Sequence, residues 1–205
     1  MSFLTTLAAA QQPGAYTPEV HPSLVSKRCT TFGGCVEVNS SIVLDANYRW
    51  LHNVGGYDPC VPSGFDPTLC PNVEACAANC ALEGVDYPSY GITASGDSLT
   101  LNLFVESGNV TSASSPRVYL LSNNETYDVF KLLNQEIAFD VDVSKVPCGI
   151  NGALYLSEMS PNGSASALNK AGATYGTGYC DAQCPKQNFV NGVVSLPTNQ
   201  NVICS

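Results

Sequence analysis

The sequence predicts an all-β chain folded as an antiparallel sandwich. Three observations carry that expectation: short runs that alternate apolar and polar residues, clusters of Asn, Gly, Asp and Ser between them, and a single segment of helical character. Ser41-Ile42-Val43-Leu44 is a short apolar run. Residues 98–105 alternate with period two behind the turn residues Ser95-Gly96-Asp97, and residues 116–121 end at the turn Ser122-Asn123-Asn124. Further strands are expected over residues 127–133, 136–143 and 153–159. The helical segment is Val73–Asn79, pinned by cysteines. Neither an internal repeat nor an inter-domain linker interrupts this order.

Composition narrows the partners. The 205 residues are 44% hydrophobic and only 12% charged. A chain of this size buries about 70% of its unfolded surface and supports one domain with a real core. With 8 basic against 17 acidic residues the net charge is −9, which repels phosphate backbones and anionic lipid. Nucleic acid and membrane are therefore excluded as partners, and a neutral polar ligand such as a sugar is favoured. No run approaches a transmembrane span.

Ten cysteines without a Cys-x-x-Cys, and only two histidines, His21 and His52, argue against zinc and for disulfides in an oxidising compartment. Sequons at Asn39, Asn109, Asn124 and Asn162 agree with secretion. Residues 1–10 end in Ala8-Ala9-Ala10 and read as the remnant of a secretory signal peptide. Cys29 and Cys35 flank a tight loop that one bridge could close. Cys60, Cys70, Cys76 and Cys80 leave three pairings open, and Cys148, Cys180, Cys184 and Cys204 are not paired by local spacing.

Three constellations could carry chemistry. In Asp45-Ala46-Asn47-Tyr48-Arg49-Trp50-Leu51-His52, strand periodicity places Tyr48 and Trp50 on one face and Asn47 and Arg49 on the other. Rings beside an amide and a guanidinium suit a pyranose, which stacks by its C–H face and hydrogen-bonds at its edge; a core role for Trp50 is the even alternative. Asp140 and Asp142 share a face of an expected strand, but a strand with one wet face explains them better than an acid–base pair. In Tyr175-Gly176-Thr177-Gly178-Tyr179-Cys180-Asp181-Ala182-Gln183-Cys184 no Lys-Ser/Thr follows the glycines, so a phosphate loop is not indicated. Tyr179, Asp181 and Gln183 would share a face if that segment is extended. No Gly-x-Ser-x-Gly supports a serine triad.

Several stretches together resemble glycoside hydrolase family 7, the fungal cellobiohydrolases and endoglucanases. They are Val43-Leu44-Asp45-Ala46-Asn47-Tyr48-Arg49-Trp50, Thr68-Leu69-Cys70-Pro71, Cys76-Ala77-Ala78-Asn79-Cys80 and Tyr90-Gly91-Ile92-Thr93-Ala94-Ser95-Gly96. Phe139-Asp140-Val141-Asp142-Val143-Ser144, Pro147-Cys148-Gly149-Ile150-Asn151-Gly152-Ala153-Leu154-Tyr155 and residues 171–185 continue the match in the family's order. Gln11-Gln12-Pro13-Gly14, residues 17–22 and Ser115-Pro116-Arg117 look more like the endoglucanase branch.

The resemblance implies a concanavalin-like jelly-roll β-sandwich, here its N-terminal part over residues 11–205, whose concave face holds a β-1,4-glucan such as cellulose. It implies retaining hydrolysis by a secreted monomer without metal or cofactor. The family's Glu-x-Asp-x-x-Glu segment, which supplies nucleophile, supporting Asp and acid/base, does not occur in the sequence. The expectation is therefore that the chain stops before the catalytic motif, that no residue is assigned as catalytic and that the chain alone does not hydrolyse. By resemblance, Asn47, Tyr48 and Trp50 form the glycone-side platform. Arg117, Asn151 and Tyr155 line the cleft, and Tyr179, Asp181 and Gln183 lie beside the catalytic carboxylates. The family also pairs Cys29 with Cys35, Cys60 with Cys80 and Cys70 with Cys76.

Overall fold

The structure, a computed structural model, describes residues 12–179. Its elements are β1 (Gln12–Pro13), β2 (Ser23–Thr30), β3 (Gly34–Leu44), β4 (Leu51–Asn53), α1 (Val73–Asn79), β5 (Cys80–Leu82), β6 (Ile92–Ser95), β7 (Ser98–Leu101), β8 (Phe104–Ser107), β9 (Val110–Ala113), β10 (Val118–Asn123) and β11 (Thr126–Tyr127). The main sheet runs β11-β10-β3-β2 and is antiparallel throughout. A second sheet, β1-β5-β4, pairs β5 with β4 antiparallel and with β1 parallel. β6-β7 and β8-β9 are separate hairpins.

β3 organises the core because it is covered on both faces. Ile42 and Leu44 project into one cluster with Val85, Tyr87 and Ile92, while Val43 projects the other way onto Leu121, Tyr127 and Ala173. Successive side chains of a strand leave on opposite faces, so a strand buried on both sides must be apolar at every position. That is why residues 42–44 read as an unbroken apolar run. Burying each such side chain contributes about 1.5–3 kcal/mol.

α1 forms over the residues expected. The Asn72 side chain accepts from the Ala75 amide at 2.8 Å, which starts the helix, and Cys80 ends it. A helix of this length does not stand alone in water. The bridges Cys60–Cys80 and Cys70–Cys76 hold it, and Cys29–Cys35 closes the β2–β3 hairpin, the three pairings implied by the resemblance. Cys148 is disulfide-bonded as well.

The chain before β2 is clamped by two buried carboxylates. Glu83 accepts from the amides of Ala15, Tyr16 and Thr17 at 3.1, 3.0 and 2.7 Å. Gly14 lies so close that a Cβ there would sit 2.0 Å from Glu83 Oε1. Glu19 takes Nη1 and Nη2 of Arg49 at 2.5 and 2.9 Å and the Tyr87 hydroxyl at 2.5 Å. Burial alone would push Glu19 up, but the Arg49 and His21 hydrogen bonds, the Arg49 charge and the Tyr87 hydroxyl outweigh it and hold it at about 2.

Four strand expectations are corrected. Residues 98–105 divide into β7 and β8, and of residues 127–133 only Tyr127 joins a ladder. Residues 136–143 and 153–159 pair with nothing among the described residues, and Phe139 is 53% and Leu154 60% exposed. Alternation marks a segment that can cover a surface; a strand also needs a partner backbone for its N–H and C=O groups. Among the described residues no helix is long and apolar enough to cross a membrane.

Candidate functional site

At the end of β3 the chain leaves the sheet through Asp45, which caps a 3-10 turn over Ala46–Tyr48. Asp45 Oδ1 accepts from the Asn47 amide at 2.7 Å. The β3–β10 register sets Val118 opposite Leu44, so Arg117 arrives beside Asp45, whose amide donates to the Arg117 carbonyl at 3.0 Å. Arg117 and Tyr119 lie two apart on one face of the strand and both reach Asp45 Oδ2. Arg117 Nε and Nη2 donate to it at 3.0 and 2.8 Å, and the Tyr119 hydroxyl donates to the same oxygen.

The rings close round this centre. The Arg117 guanidinium carbon lies 3.8 Å from the centroid of the Tyr179 ring, a cation–π contact. The Tyr155 and Tyr179 hydroxyls are 2.9 Å apart. Tyr48 is half-buried nearby: burial raises its hydroxyl pKa, while Arg117 lowers it and Asp45 and Tyr155 raise it further. Burial also raises the Tyr119 hydroxyl, reinforced by the charge of Asp45. Burial works against the Arg117 charge, but Asp45 and its neighbours more than reverse this and raise its pKa.

The segment carrying Tyr179 is placed by its glycines. Gly176 has φ 73° and its carbonyl accepts from the Ala46 amide at 3.1 Å. A Cβ on Gly176 would stand 2.1 Å from the Leu44 carbonyl oxygen, so only glycine lets this segment lie against the end of β3. The glycines thus serve close backbone approach.

Trp50 belongs to a second aromatic group. Its ring stacks on His52 at 4.0 Å and lies 5.8 Å from Tyr57 and 6.2 Å from Tyr16; Tyr16 and Tyr57 are parallel within 5° at 4.9 Å. Trp50 is 38% exposed, so it forms surface rather than core. His52 is buried beneath, its Nε2 2.8 Å from Glu83 Oε1 and its Nδ1–H donating to the Asn53 carbonyl at 2.8 Å.

Of the residues singled out in the sequence, Tyr48, Arg117, Tyr155 and Tyr179 come together, with Asn47 on the adjoining turn. Asn151 lies on an exposed stretch, and Asp181 and Gln183 fall outside the described residues. The shared face expected for Tyr48 and Trp50 is corrected, because the 3-10 turn rotates residues 46–48 out of strand periodicity. Tyr48 packs on the Ile42–Leu44 side, Trp50 joins the second group, and Arg49 is a buried partner of Glu19. Asp45 and Tyr119 were missed. Their signals were present: an acid at the strand end, where caps occur, and a tyrosine two residues from Arg117.

Asp45 is no acid–base candidate, since it is 1% exposed and both oxygens accept hydrogen bonds. Asp140 and Asp142 are exposed on the unpaired stretch, where Asp142 accepts from the Ser144 amide and hydroxyl. The sulfurs of Cys60, Cys70 and Cys80 lie within 4.8 Å of one another, but each is in a disulfide and offers no thiolate to a metal. What remains is a fixed guanidinium, an amide and several tyrosines, a set suited to a neutral polyol.

Comparison with known proteins identifies the class. The model of glycosyl hydrolase family 7 matches residues 13–202, and the chain belongs to that family. Among curated relatives it is 56% identical over 192 residues to a probable endo-beta-1,4-glucanase celB of Aspergillus clavatus, covering 92% of this chain and 46% of that protein. It is 52% identical over 201 residues to endoglucanase EG-1 of Trichoderma longibrachiatum, covering 97% of this chain and 43% of the relative. The chain thus spans about half the length of the curated relatives it matches.

Among solved structures, native Humicola insolens endocellulase EGI superposes with TM-score 0.77 at 44% identity, over 88% of this chain and 47% of that one. An endoglucanase I complexed with cellobiose gives TM-score 0.76 at 41% identity, over the same shares. The all-β jelly-roll sandwich expected from the sequence is the fold of these neighbours.

Proposed function

We propose that this chain carries glucan-binding groups of a secreted endo-β-1,4-glucanase, and that the whole protein cleaves β-1,4-glucosidic bonds in cellulose with retention. The observation that carries the reading is the cluster of Tyr48, Arg117, Tyr155 and Tyr179 round the buried carboxylate of Asp45. Family membership and the endoglucanase names of the relatives support it. Asn47 and Trp50 add an amide and an exposed ring, and Asn151, Asp181 and Gln183 complete the proposed binding set. Retention requires two carboxyl groups about 5–5.5 Å apart. The Glu-x-Asp-x-x-Glu segment that supplies them in the family does not occur in this sequence, so binding without hydrolysis is expected of the chain.

Residues 1–10 are read as a signal-peptide remnant, residues 11–205 as part of the catalytic domain, and the sequon asparagines as glycan acceptors of a secreted monomer. The single tryptophan makes the binding test direct. Titration with cellotetraose should change Trp50 fluorescence saturably, and incubation with soluble β-glucan should release no reducing sugar. Absence of saturable binding refutes the glucan reading; release of sugar refutes the non-hydrolytic one. A purely glucan-binding role is the second reading, favoured by the same missing acid motif. It predicts retention on a cellulose column that Trp50→Ala weakens.

A further inference from the structure

We infer that Asp45 is the positioning residue of the glucan site: one buried carboxylate holds Arg117 in its ligand-facing pose and, through its other oxygen, holds the turn that presents Asn47 and Tyr48. The inference rests on the glucan reading above and names what makes that site rigid.

The two oxygens have separate tasks. Oδ1 takes only the Asn47 amide among the described residues, at 2.7 Å, and so sets the first turn of residues 46–48. Oδ2 takes Nε and Nη2 of Arg117 and the Tyr119 hydroxyl, while Arg117 Nε also meets the Tyr119 oxygen at 2.9 Å. Asp45 therefore joins the end of β3 to β10, the two elements that flank the cluster.

The guanidinium is left with capacity for a ligand. It presents five donors in a rigid fork, and the described contacts use only Nε and Nη2. Its flat face is covered by Tyr179 at 3.8 Å. Its side chain keeps 16% exposure against 2% for Asp45, so arginine is the member that reaches the surface and aspartate the one that does not. A long, flexible side chain gains affinity when its rotamer is set before binding, because the ordering cost falls on folding instead.

Tyr119 has the geometry of a supporting donor. It points the same way as Arg117 along β10 and fixes Oδ2 from the other side. Its ring lies 5.4 Å from Tyr127 and 5.7 Å from Tyr179, which ties the carboxylate to the wall that carries Tyr155. Substitution at Asp45 should therefore act through Arg117, not through a ligand contact of its own.

A double-mutant cycle on the purified chain, read by cellotetraose affinity, tests this. Asp45→Asn keeps an oxygen for the Asn47 amide but removes the charge that orients Arg117. Affinity should fall about tenfold, the scale of one hydrogen bond to a charged group. Arg117→Ala should weaken binding similarly, and Asp45→Asn placed on Arg117→Ala should cost nothing further. Additive losses, or an Asp45→Asn variant that binds like the parent, overturn the inference while leaving glucan binding intact. A parent chain that binds no cellotetraose overturns the glucan reading itself.

A second readout needs no sugar. The Arg117 Nε–H should give a solvent-protected side-chain signal by nitrogen NMR, assigned by its loss in Arg117→Lys and collapsing to the free position in Asp45→Asn. Should Asp45→Asn fail to fold, Tyr119→Phe, which removes one donor and leaves the charge, should shift that signal and lower affinity about twofold to threefold. A parent chain whose Arg117 signal is already that of a free arginine overturns the inference directly, as does an unmoved signal in Tyr119→Phe.

Discussion

Ile42, Val43 and Leu44 are buried on both faces of β3, whereas Ile137, Phe139, Val141 and Val143 stand in solvent on a stretch that forms no ladder among the described residues. Both segments are rich in residues that favour strands. The difference is neighbours: β3 has β2 on one edge and β10 on the other, with side chains above and below, while residues 136–143 have neither. Strand formation is thus a property of the pair. The site follows the same division. Asp45 and Arg117 sit at the paired end of β3 and β10 and are held by four hydrogen bonds to the carboxylate. Asn151 and Tyr155 come from a stretch that forms no ladder among the described residues, and Tyr155 meets the Tyr179 hydroxyl.

The contrast can be broken most sharply at Arg49. Arg49→Leu leaves the buried Glu19 carboxylate without its bidentate guanidinium, and the loss of stability should be about 3–5 kcal/mol, measured by urea denaturation. Parity with the parent would mean that the clamp on residues 14–22 carries no weight. Leu44→Ala, at the centre of the doubly covered strand, should cost about 2–5 kcal/mol in the same assay. Phe139→Ser on the unpaired stretch should stay within about 0.5 kcal/mol. A larger loss there would show that the segment is packed, and hydrogen exchange sharpens the point: β3 amides should exchange slowly and those of 136–143 fast.

A smaller effect comes from pH. Glu19 is held below its ordinary value of 4.5, at about 2, so its contribution to stability is complete above 4.5 and is lost as pH falls toward 2. For His21, burial opposes protonation, but the Glu19 and Thr174 hydrogen bonds, the Glu19 charge and Asn124 raise it above 6.5. Its contribution is complete below 6.5 and is lost as pH rises through the raised value. Stability should therefore be greatest between about 4.5 and 6.5, and His21→Gln should flatten the alkaline limb of a melting-temperature profile.

Local chemistry was legible where it is self-contained. The helix over Val73–Asn79 is pinned by neighbouring cysteines, the apolar run before Asp45 marks a buried strand, and the motif stretches point to the family. Arg49 reads from the sequence as a guanidinium suited to a sugar, because its partner, Glu19, lies 30 residues away. Tyr119 and Asp45 were passed over for the same reason, their bond spanning 74 positions.

Amino-acid order by itself determined the all-β character, the acidic, cysteine-rich composition, the short cysteine-pinned helix and the family, since propensity, charge and motif are carried by neighbouring residues. Tertiary structure alone decided which alternating runs became strands, which arginine is clamped on Glu19 in the core and which stacks on Tyr179, and that one aspartate joins the end of β3 to β10. The physical reason is that hydrogen bonds and burial require a second surface, and that surface comes from residues distant in the chain.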